Sequence, residues 1–171
     1  MNSRVLLTSF DTWLPHHSSN ASDDLLAYWQ GRSSESLFYL RRLPVDIARS
    51  SERVLKAIDR LTIDFVLCCG MAEDRYRLSL ESNARGDLDR LHPPIALENL
   101  IAKLEYTSIS HDAGRFVCEG LYYQTLKHHR RALFLHVPLL RDNNFPAIDR
   151  DFSRIVEVIK NADGENRTRK A

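Results

Sequence analysis

The sequence has almost no net charge and lacks a long apolar run. Lysine and arginine number 24 against 23 for aspartate and glutamate, so the formal charge of +1 provides no field that would attract nucleic acid or an acidic membrane surface. No stretch approaches the roughly 20 apolar residues that span a bilayer. The chain enters Val5-Leu6-Leu7 without an apolar region long enough for a signal peptide. We therefore expect a soluble, cytoplasmic protein with a small or neutral partner, neither nucleic acid nor membrane.

The sequence also has few residues in patterns typical of metal or cofactor binding. The three cysteines cannot build a disulfide framework and lack the C-x-x-C spacing of a zinc site, since Cys68 and Cys69 are adjacent. The pairs His16–His17 and His128–His129 have no companions at ligand spacing, so we expect them to face solvent. No glycine loop that could hold a phosphate is present. The sequence predicts no metal and no cofactor, and it leaves Cys118 as the cysteine of interest.

Apolar runs and helical patterns alternate along the 171 residues, of which 43% are hydrophobic, enough for one buried core. The runs predict strands at residues 4–10, 36–43, 63–69, 78–81, 106–110 and 132–137. The helical patterns predict helices at residues 23–29, 45–61, 95–104, 116–129 and 148–161. This alternation predicts a single-domain α/β protein, residues 1–162, with three αβα layers and a mostly parallel mixed sheet. Residues 87–94 are interpreted as a loop, and residues 163–171 as a charged flexible tail.

Cys118 follows an Ala-Gly turn and lies in the first turn of a predicted helix. Unpaired backbone amides and the helix dipole favour a thiolate at such a position, and the same amides could hold an oxyanion. A nucleophile would be well placed there. The alternative is that Cys118 is a small buried hydrophobic residue, which is the more common role of a lone cysteine in a helix.

His136 and Glu81 supply a candidate base and a candidate acid. His136 lies near the carboxyl end of a predicted strand, where ligands bind in parallel sheets, and it could act as a general base beside Cys118. Glu81 lies in an extended segment, and its carboxylate could orient an imidazole. Taken alone, His136 could equally be a structural histidine and Glu81 a solvent-facing strand residue.

Aromatic residues at the exit of the first predicted strand could wall a small apolar pocket. Phe10 and Trp13 are these residues, and Asn20 opens the helix that follows. The two aromatic side chains could equally pack in the core beneath a loop. Asn20 could be a plain helix N-cap.

Several blocks of the sequence resemble the pyrrolidone-carboxylate peptidases, also called pyroglutamyl peptidase I, which are cysteine peptidases that remove N-terminal pyroglutamate. The blocks occur in family order and cover roughly residues 4–160, and those around the cysteine and the histidine are the most specific. They are Val5-Leu-Leu-Thr-Ser-Phe-Asp-Thr-Trp13, Leu43-Pro-Val45, Gly70 through Glu81, Ala113-Gly-Arg-Phe-Val-Cys118 and Phe134-Leu-His-Val-Pro138.

The resemblance implies a cysteine omega-peptidase that acts on a peptide or small amide. Cys118 would be the nucleophile, His136 the base and Glu81 the orienting acid. The resemblance also implies a homo-oligomer. It places five residues where the family lines its pyrrolidone pocket, namely Phe10, Trp13, Asn20, Met71 and Val117.

The sequence departs from the family pattern at the predicted mouth of the pocket. Leu14-Pro15-His16 stands where members usually have two glycines, and Glu73-Asp74 replaces the Pro-Gly before the arginine. His111 replaces the asparagine expected before the Ala-Gly turn. These departures change residues around the site rather than the three candidate catalytic residues.

The long family loop after the glutamate is shortened here to about residues 82–94. In the family an arginine from this loop assists the reaction, and either Arg85 or Arg90 could replace it. The first hypothesis is therefore a pyroglutamyl peptidase. The second is a related cysteine amidohydrolase that cuts another small amide, and the third is a catalytically retired homologue that acts as a binding module.

Overall fold

The most apolar runs of the sequence form the centre of a sheet. The computed structural model describes residues 3–32 and 35–162, so the tail predicted at residues 163–171 lies outside the described residues. The strands are β1 (Val5–Phe10), β2 (Leu37–Leu43), β3 (Phe65–Met71), β4 (Leu78–Glu81), β5 (Ala84–Arg85), β6 (Arg90–Leu91), β7 (Thr107–Ser110) and β8 (Ala132–Val137). Every residue of β1 and β8 is buried, which explains why these runs are apolar throughout rather than alternating.

Side-chain caps mark the start of two of the five helices among the described residues, α1 (Ala21–Gln30) and α2 (Ile47–Leu61). The others are α3 (Leu97–Ile101), α4 (Val117–His129) and α5 (Phe145–Asn161). Asp46 caps α2 by accepting a hydrogen bond from the backbone N–H of Arg49 at 2.8 Å. Within the described ranges, no helix has both the length and the apolar character required to cross a bilayer.

Six strands pair in the order β2-β1-β3-β8-β4-β7, and β5 pairs with β6 in a separate hairpin. Strands β2, β1, β3 and β8 run parallel to one another. Strand β4 is antiparallel to β8 and parallel to β7. The predicted α/β fold with a mostly parallel mixed sheet is therefore confirmed.

Two hydrophobic cores lie on opposite faces of the sheet, because successive strand residues point to opposite sides. On one face Leu67 and Cys69 pack with residues of α1 and α5. On the other face Val66 and Cys68 pack with residues of α2 and α4. Helices on both faces of one sheet give the three αβα layers that the alternating pattern predicts.

The structure differs from the sequence-based boundaries at three places. Helix α5 begins at Phe145 rather than at residue 148, because Pro146 lies in the first turn, where its missing N–H removes no hydrogen bond. Helix α3 is shorter than residues 95–104, and its N-cap forms no side-chain hydrogen bond. The interpretation of residues 87–94 as a loop is wrong for β6, since the N–H of Gly86 bonds the carbonyl of Asp89 at 2.9 Å and closes a hairpin.

Asp151 joins helix α5 to the start of strand β7. Its carboxylate is buried and accepts hydrogen bonds from the backbone N–H groups of Glu105 and Tyr106, at 3.2 and 2.7 Å. It also accepts the hydroxyl hydrogen of Thr107 at 2.7 Å. These donors would be poorly satisfied without the carboxylate, so Asp151 holds the edge of the sheet against α5.

Replacing Asp151 with alanine should lower the free energy of unfolding by about 2–4 kcal/mol, because buried donors lose a charged acceptor. Urea denaturation followed by circular dichroism measures this change. Glu157→Ala, at an exposed position of the same helix, is the matched control and should stay within about 0.5 kcal/mol of the wild type. Equal small effects of the two substitutions would contradict the role of Asp151.

Candidate active site

Strand register brings His136 and Glu81 together on one face of the sheet. His136 pairs with Gly70 of β3 and with Ser79 of β4. Because residues two apart in a strand share a face, Glu81 is the diagonal neighbour of His136. His136 Nδ1 lies 2.7 Å from Glu81 Oε1, and the two residues are 4% and 0% exposed. A carboxylate only accepts, so Nδ1 carries the hydrogen and Nε2 is the basic nitrogen.

Arg75 is a second hydrogen-bonding partner of Glu81. Its Nη1 donates to Glu81 Oε1 at 2.7 Å, and its Nη2 donates to the carbonyl of Asp112 at 2.9 Å. Burial alone would raise the pKa of Glu81, but the hydrogen bonds from His136 and Arg75 outweigh it and hold the pKa below its usual value. Glu81 is therefore an anion at neutral pH, and it faces one imidazole and one guanidinium.

The missing side chain of Gly70 makes room for the sulfur of Cys118. Cys118 is the second residue of α4, which packs over this face of the sheet. A Cβ atom at Gly70 would lie 2.8 Å from Cys118 Sγ and 3.0 Å from the ring of Phe134. Gly70 is the register partner of His136, and neighbouring strands lie about 4.8 Å apart. The sulfur therefore lies beside the imidazole of His136.

Among the described residues, no hydrogen bond joins the Cys118 thiol to the His136 ring. Both side chains line the same cleft. Hydrogen bonds at catalytic sites are often long without a ligand and shorten when one binds, so this geometry is compatible with proton transfer.

The Cys118 thiol is protonated in the resting structure. Burial, followed by the negative charge of Glu81, raises the pKa of the thiol to about 12, against a smaller lowering by Arg75. The sequence-based expectation that the helix N-terminus favours a thiolate is therefore wrong for the unliganded protein, because burial outweighs the helix dipole. Any reaction of the sulfur at neutral pH requires a base that takes the proton.

The first turn of α4 offers hydrogen-bond donors next to the sulfur. Phe116, at the N-cap, forms no side-chain capping hydrogen bond. The backbone N–H groups of Val117 and Cys118 have no intrahelical acceptor, as at the start of every α-helix. These donors could stabilise negative charge that develops on an oxygen bonded to the carbon under attack.

An open cleft of about 1360 Å³ lies over Cys118 and His136. Two exposed aromatic rings stand at its mouth, since Trp13 and Phe116 have ring centroids 5.7 Å apart with an interplanar angle of 37°. The side chain of Arg75 forms part of the wall. The cleft therefore combines aromatic rings at its mouth with charged side chains in its wall.

Solved structures of two peptidases have the same fold. The pyrrolidone carboxyl peptidase from Thermococcus litoralis gives a TM-score of 0.79 at 17% sequence identity, and the match covers 96% of this chain and 96% of that chain. Pyroglutamyl peptidase I from Bacillus amyloliquefaciens gives a TM-score of 0.75 at 19% identity, covering 90% of this chain and 93% of that chain. At this identity the likeness establishes the fold alone.

Sequence comparison decides the family. No protein-family model matches the chain. A pyrrolidone-carboxylate peptidase from Bacillus licheniformis is 26% identical over 197 residues, covering 94% of this chain and 90% of that protein. One from Vibrio vulnificus is 30% identical over 169 residues, covering 80% of this chain and 79% of that protein. The chain belongs to the pyrrolidone-carboxylate peptidase family. The resemblance indicated by the sequence blocks is thus confirmed at the level of the family.

Three of the five residues expected at the family's pyrrolidone pocket line the cleft. They are Trp13, Met71 and Val117. Trp13 contributes an exposed ring at the mouth, whereas Val117 is buried at the start of α4 next to Cys118. Their assignment as binding residues stays a prediction that the cleft geometry favours.

The other two residues, Phe10 and Asn20, are not among the residues that line this cleft. Phe10 is buried in the core on the α2 and α4 face, as the packing alternative described. Asn20 caps α1, since its Oδ1 accepts from the N–H of Ser22 at 3.0 Å and its Nδ2 donates to the carbonyl of Asp11 at 3.1 Å. Both polar ends of Asn20 are thus occupied, as the helix-cap alternative describes, and its assignment to the pocket stays a prediction.

Neither arginine of the shortened family loop lies in the cleft. Arg85 pairs with Asp112 at 2.5 Å and with Glu119 at 3.3 Å, and Arg90 is exposed on β6. Arg75, by contrast, lines the cleft and donates a hydrogen bond to Glu81, and sequence reasoning did not single it out. Its place in the block from Gly70 to Glu81 was the one sequence feature that could have pointed to Arg75. Its contact with Glu81 depends on a turn that pattern analysis does not resolve.

The expectation that both histidine pairs face solvent is wrong for His17. Its side chain is only 5% exposed, because the turn at residues 14–17 folds it against Glu73. His128 is exposed as expected and lies 3.0 Å from Asp59.

Adding a methyl group at Gly70 should displace the sulfur. Gly70→Ala should lower the free energy of unfolding by about 1–3 kcal/mol, because its Cβ would meet Sγ and the Phe134 ring. In a Cys118→Ala background the same change should cost about 1 kcal/mol less, since one of the two contacts is gone. Equal costs in the two backgrounds, measured by denaturant unfolding, would contradict the contact. Gly31→Ala, with open space around it, is the control and should have little effect.

Alkylation of Cys118 by iodoacetamide should be slow at neutral pH and should rise with pH without levelling off below about pH 9, because the pKa of the thiol lies near 12. Mass spectrometry of the peptide that contains Cys118 measures the rate. Cys68 and Cys69 are fully buried, so Cys118→Ala should abolish labelling of the folded protein. A rate that is already constant around pH 7 would instead indicate a resting thiolate–imidazolium pair.

Proposed function

We propose that this chain is a cysteine peptidase that removes N-terminal pyroglutamate from peptides, with Cys118 as nucleophile, His136 as proton carrier and Glu81 as orienting carboxylate. The observation that carries the proposal is the 2.7 Å contact between His136 Nδ1 and Glu81 Oε1, beside the space that Gly70 leaves for the sulfur. Family membership supports a peptidase hydrolase, and the names of the relatives support the substrate class.

The first step of the proposed reaction couples proton transfer to attack. As Cys118 Sγ forms a bond to the carbonyl carbon of the pyroglutamyl residue, its proton moves to His136 Nε2. The thiol pKa of about 12 makes this coupling necessary, since the resting sulfur holds its proton at neutral pH. The carbonyl oxygen becomes an oxyanion, and the free N–H groups at the start of α4 are its donors.

The second step releases the peptide. The carbon–nitrogen bond breaks, and the leaving amine takes the proton from His136 Nε2, which leaves a thioester on Cys118. His136 then accepts a proton from a water molecule as the water oxygen attacks the thioester. Collapse of that intermediate frees pyroglutamate and returns the proton to the sulfur.

Glu81 serves both steps by fixing the ring of His136. Its hydrogen bond to Nδ1 selects the tautomer in which Nε2 is basic, and its charge stabilises the imidazolium that forms after proton transfer. Arg75 shares the same carboxylate oxygen, and so it limits how strongly Glu81 attracts the proton. The pair is thereby held at one geometry in a buried setting.

The cleft rim accounts for the recognition of a pyrrolidone ring. The lactam is flat and uncharged, and Trp13, Met71 and Val117 present apolar surface to it. The rest of the peptide would extend past the exposed rings at the mouth into solvent. This arrangement places the scissile carbonyl near Cys118 without contacts that depend on the sequence of the peptide.

The size of the cleft favours a second candidate, a cysteine amidohydrolase acting on another small amide through the same residues. Sites for small ligands usually occupy about 300–1,000 Å³. The cleft here measures about 1360 Å³, which leaves room for a group larger than a pyrrolidone ring. A retired enzyme that acts as a binding module is the third candidate, and the high thiol pKa is the observation in its favour.

Hydrolysis of a pyroglutamyl aminocoumarin amide tests the proposal. The wild type should release the fluorophore, and Cys118→Ala and His136→Gln should each lower kcat/KM by about a thousandfold or more, because the three groups act as one unit. Glu81→Gln should lower kcat with a smaller effect on KM, since it alters the base rather than the binding surface.

Two variants act as matched controls for these losses. Cys69→Ala removes a thiol on the opposite face of the sheet, and His128→Gln removes an exposed imidazole on α4, so both should keep activity. A wild type that leaves the amide uncut at high enzyme concentration would refute the proposal. Covalent labelling of Cys118 by an amide-based probe would then favour the second candidate, and an unreactive thiol the binding module.

A further inference from the structure

Two tight turns meet at the mouth of the cleft, and both contain residues that depart from the family pattern. The first covers residues 14–17 and is closed by a hydrogen bond from the N–H of His17 to the carbonyl of Leu14 at 3.0 Å. Pro15 occupies its second position, where the fixed φ of proline suits a β-turn. This turn presents His16 and His17 in succession.

The second turn covers residues 72–75 and supplies a carboxylate. It is closed by a hydrogen bond from the N–H of Arg75 to the carbonyl of Ala72 at 3.1 Å. Glu73 and Asp74 stand where family members usually have Pro-Gly. Glu73 points toward the first turn.

The side chains of the two turns converge on one point. His16 Nε2 and His17 Nε2 each lie 3.2 Å from Glu73 Oε2. The three ligand atoms all lie within 4.8 Å of one another, and the two imidazole rings have centroids 4.3 Å apart at 71°. Two nitrogens and one oxygen therefore face a common centre at the rim of the cleft.

The two 3.2 Å separations between the ring nitrogens and Glu73 Oε2 match those of ligands around a metal ion. In a tetrahedral zinc site with bonds of about 2.0–2.1 Å, neighbouring ligand atoms lie about 3.3 Å apart. Two histidines and one carboxylate with a fourth position open to solvent form a common zinc ligand set.

The burial of His17 fixes the position of its Nε2. Its side chain is 5% exposed, yet its Nδ1 has no hydrogen-bond partner, and the other nitrogen contacts a carboxylate oxygen that His16 already shares. A buried imidazole satisfied at one nitrogen only is destabilising. A cation bound at Nε2 would give this nitrogen a strong interaction of its own. In the structure it shares the acceptor Glu73 Oε2 with His16.

We propose that His16, His17 and Glu73 bind a divalent transition-metal ion, with Zn²⁺ as the favoured ion, at the rim of the cleft. Imidazole with carboxylate suits Zn²⁺ better than it suits Ca²⁺ or Mg²⁺, which prefer oxygen ligands. The ion would tie the two turns together and narrow the mouth between Trp13 and Glu73, both of which line the cleft. The site is separate from Cys118 and does not depend on the proposed peptidase activity.

Isothermal titration with Zn²⁺ tests the site, using the full chain without an affinity tag. The titration is made on the Cys118→Ala variant, so that the thiol cannot bind the metal. One ion should bind per chain at micromolar concentration, and His17→Ala should weaken binding by about a hundredfold. Co²⁺ should bind in place of Zn²⁺ with visible absorption bands of tetrahedral strength that are lost in the same variant.

Two further variants keep the test decisive if His17→Ala does not fold. His16→Ala and Glu73→Gln alter side chains that are 62% and 43% exposed, so the fold should survive, and each should weaken Zn²⁺ binding by about tenfold or more. His128→Ala, which removes the imidazole of another histidine–carboxylate pair, should leave binding unchanged. The proposal is overturned if no Zn²⁺ binds at millimolar concentration, or if it binds equally well to all these variants.

Discussion

The buried contact between Glu81 and His136 is the interaction on which the rest of the site depends. Two buried groups of opposite polarity are costly to place in a sheet, and removing one partner of such a pair typically costs about 3–5 kcal/mol. The antiparallel junction of β4 with β8 makes the contact possible, because it sets the two residues diagonally on one face. Arg75 adds a second donor to the same carboxylate oxygen. The antiparallel pairing within the mixed sheet therefore brings Glu81 and His136 together.

The charges of the site are arranged around a neutral sulfur. Burial and the nearby anion of Glu81 keep the proton on Cys118. In the proposed reaction, the imidazole would receive that proton at Nε2, the nitrogen opposite Glu81. Gly70 permits this arrangement because any larger residue at that position would occupy the space of the sulfur.

The sequence could predict the layers and most strands, because buried parallel strands need continuous apolar runs such as residues 65–71. It could also name Cys118, His136 and Glu81, through motifs that a family shares. It could not place Arg75 on Glu81 or His17 against Glu73, since both contacts arise from turns that bring distant segments together. The capping role of Asn20 was predictable because it precedes the helical pattern of α1.

A crystal structure of the protein reacted with a pyroglutamyl aldehyde would test whether Glu81 holds His136 for proton exchange with Cys118. We expect a bond between the aldehyde carbon and Cys118 Sγ, the lactam ring against Trp13, and His136 Nε2 facing the new hydroxyl group. Glu81 should remain on Nδ1 at a distance near its present 2.7 Å. An unmodified sulfur, or an imidazole ring turned away from Glu81 in the adduct, would show that Glu81 does not have this role.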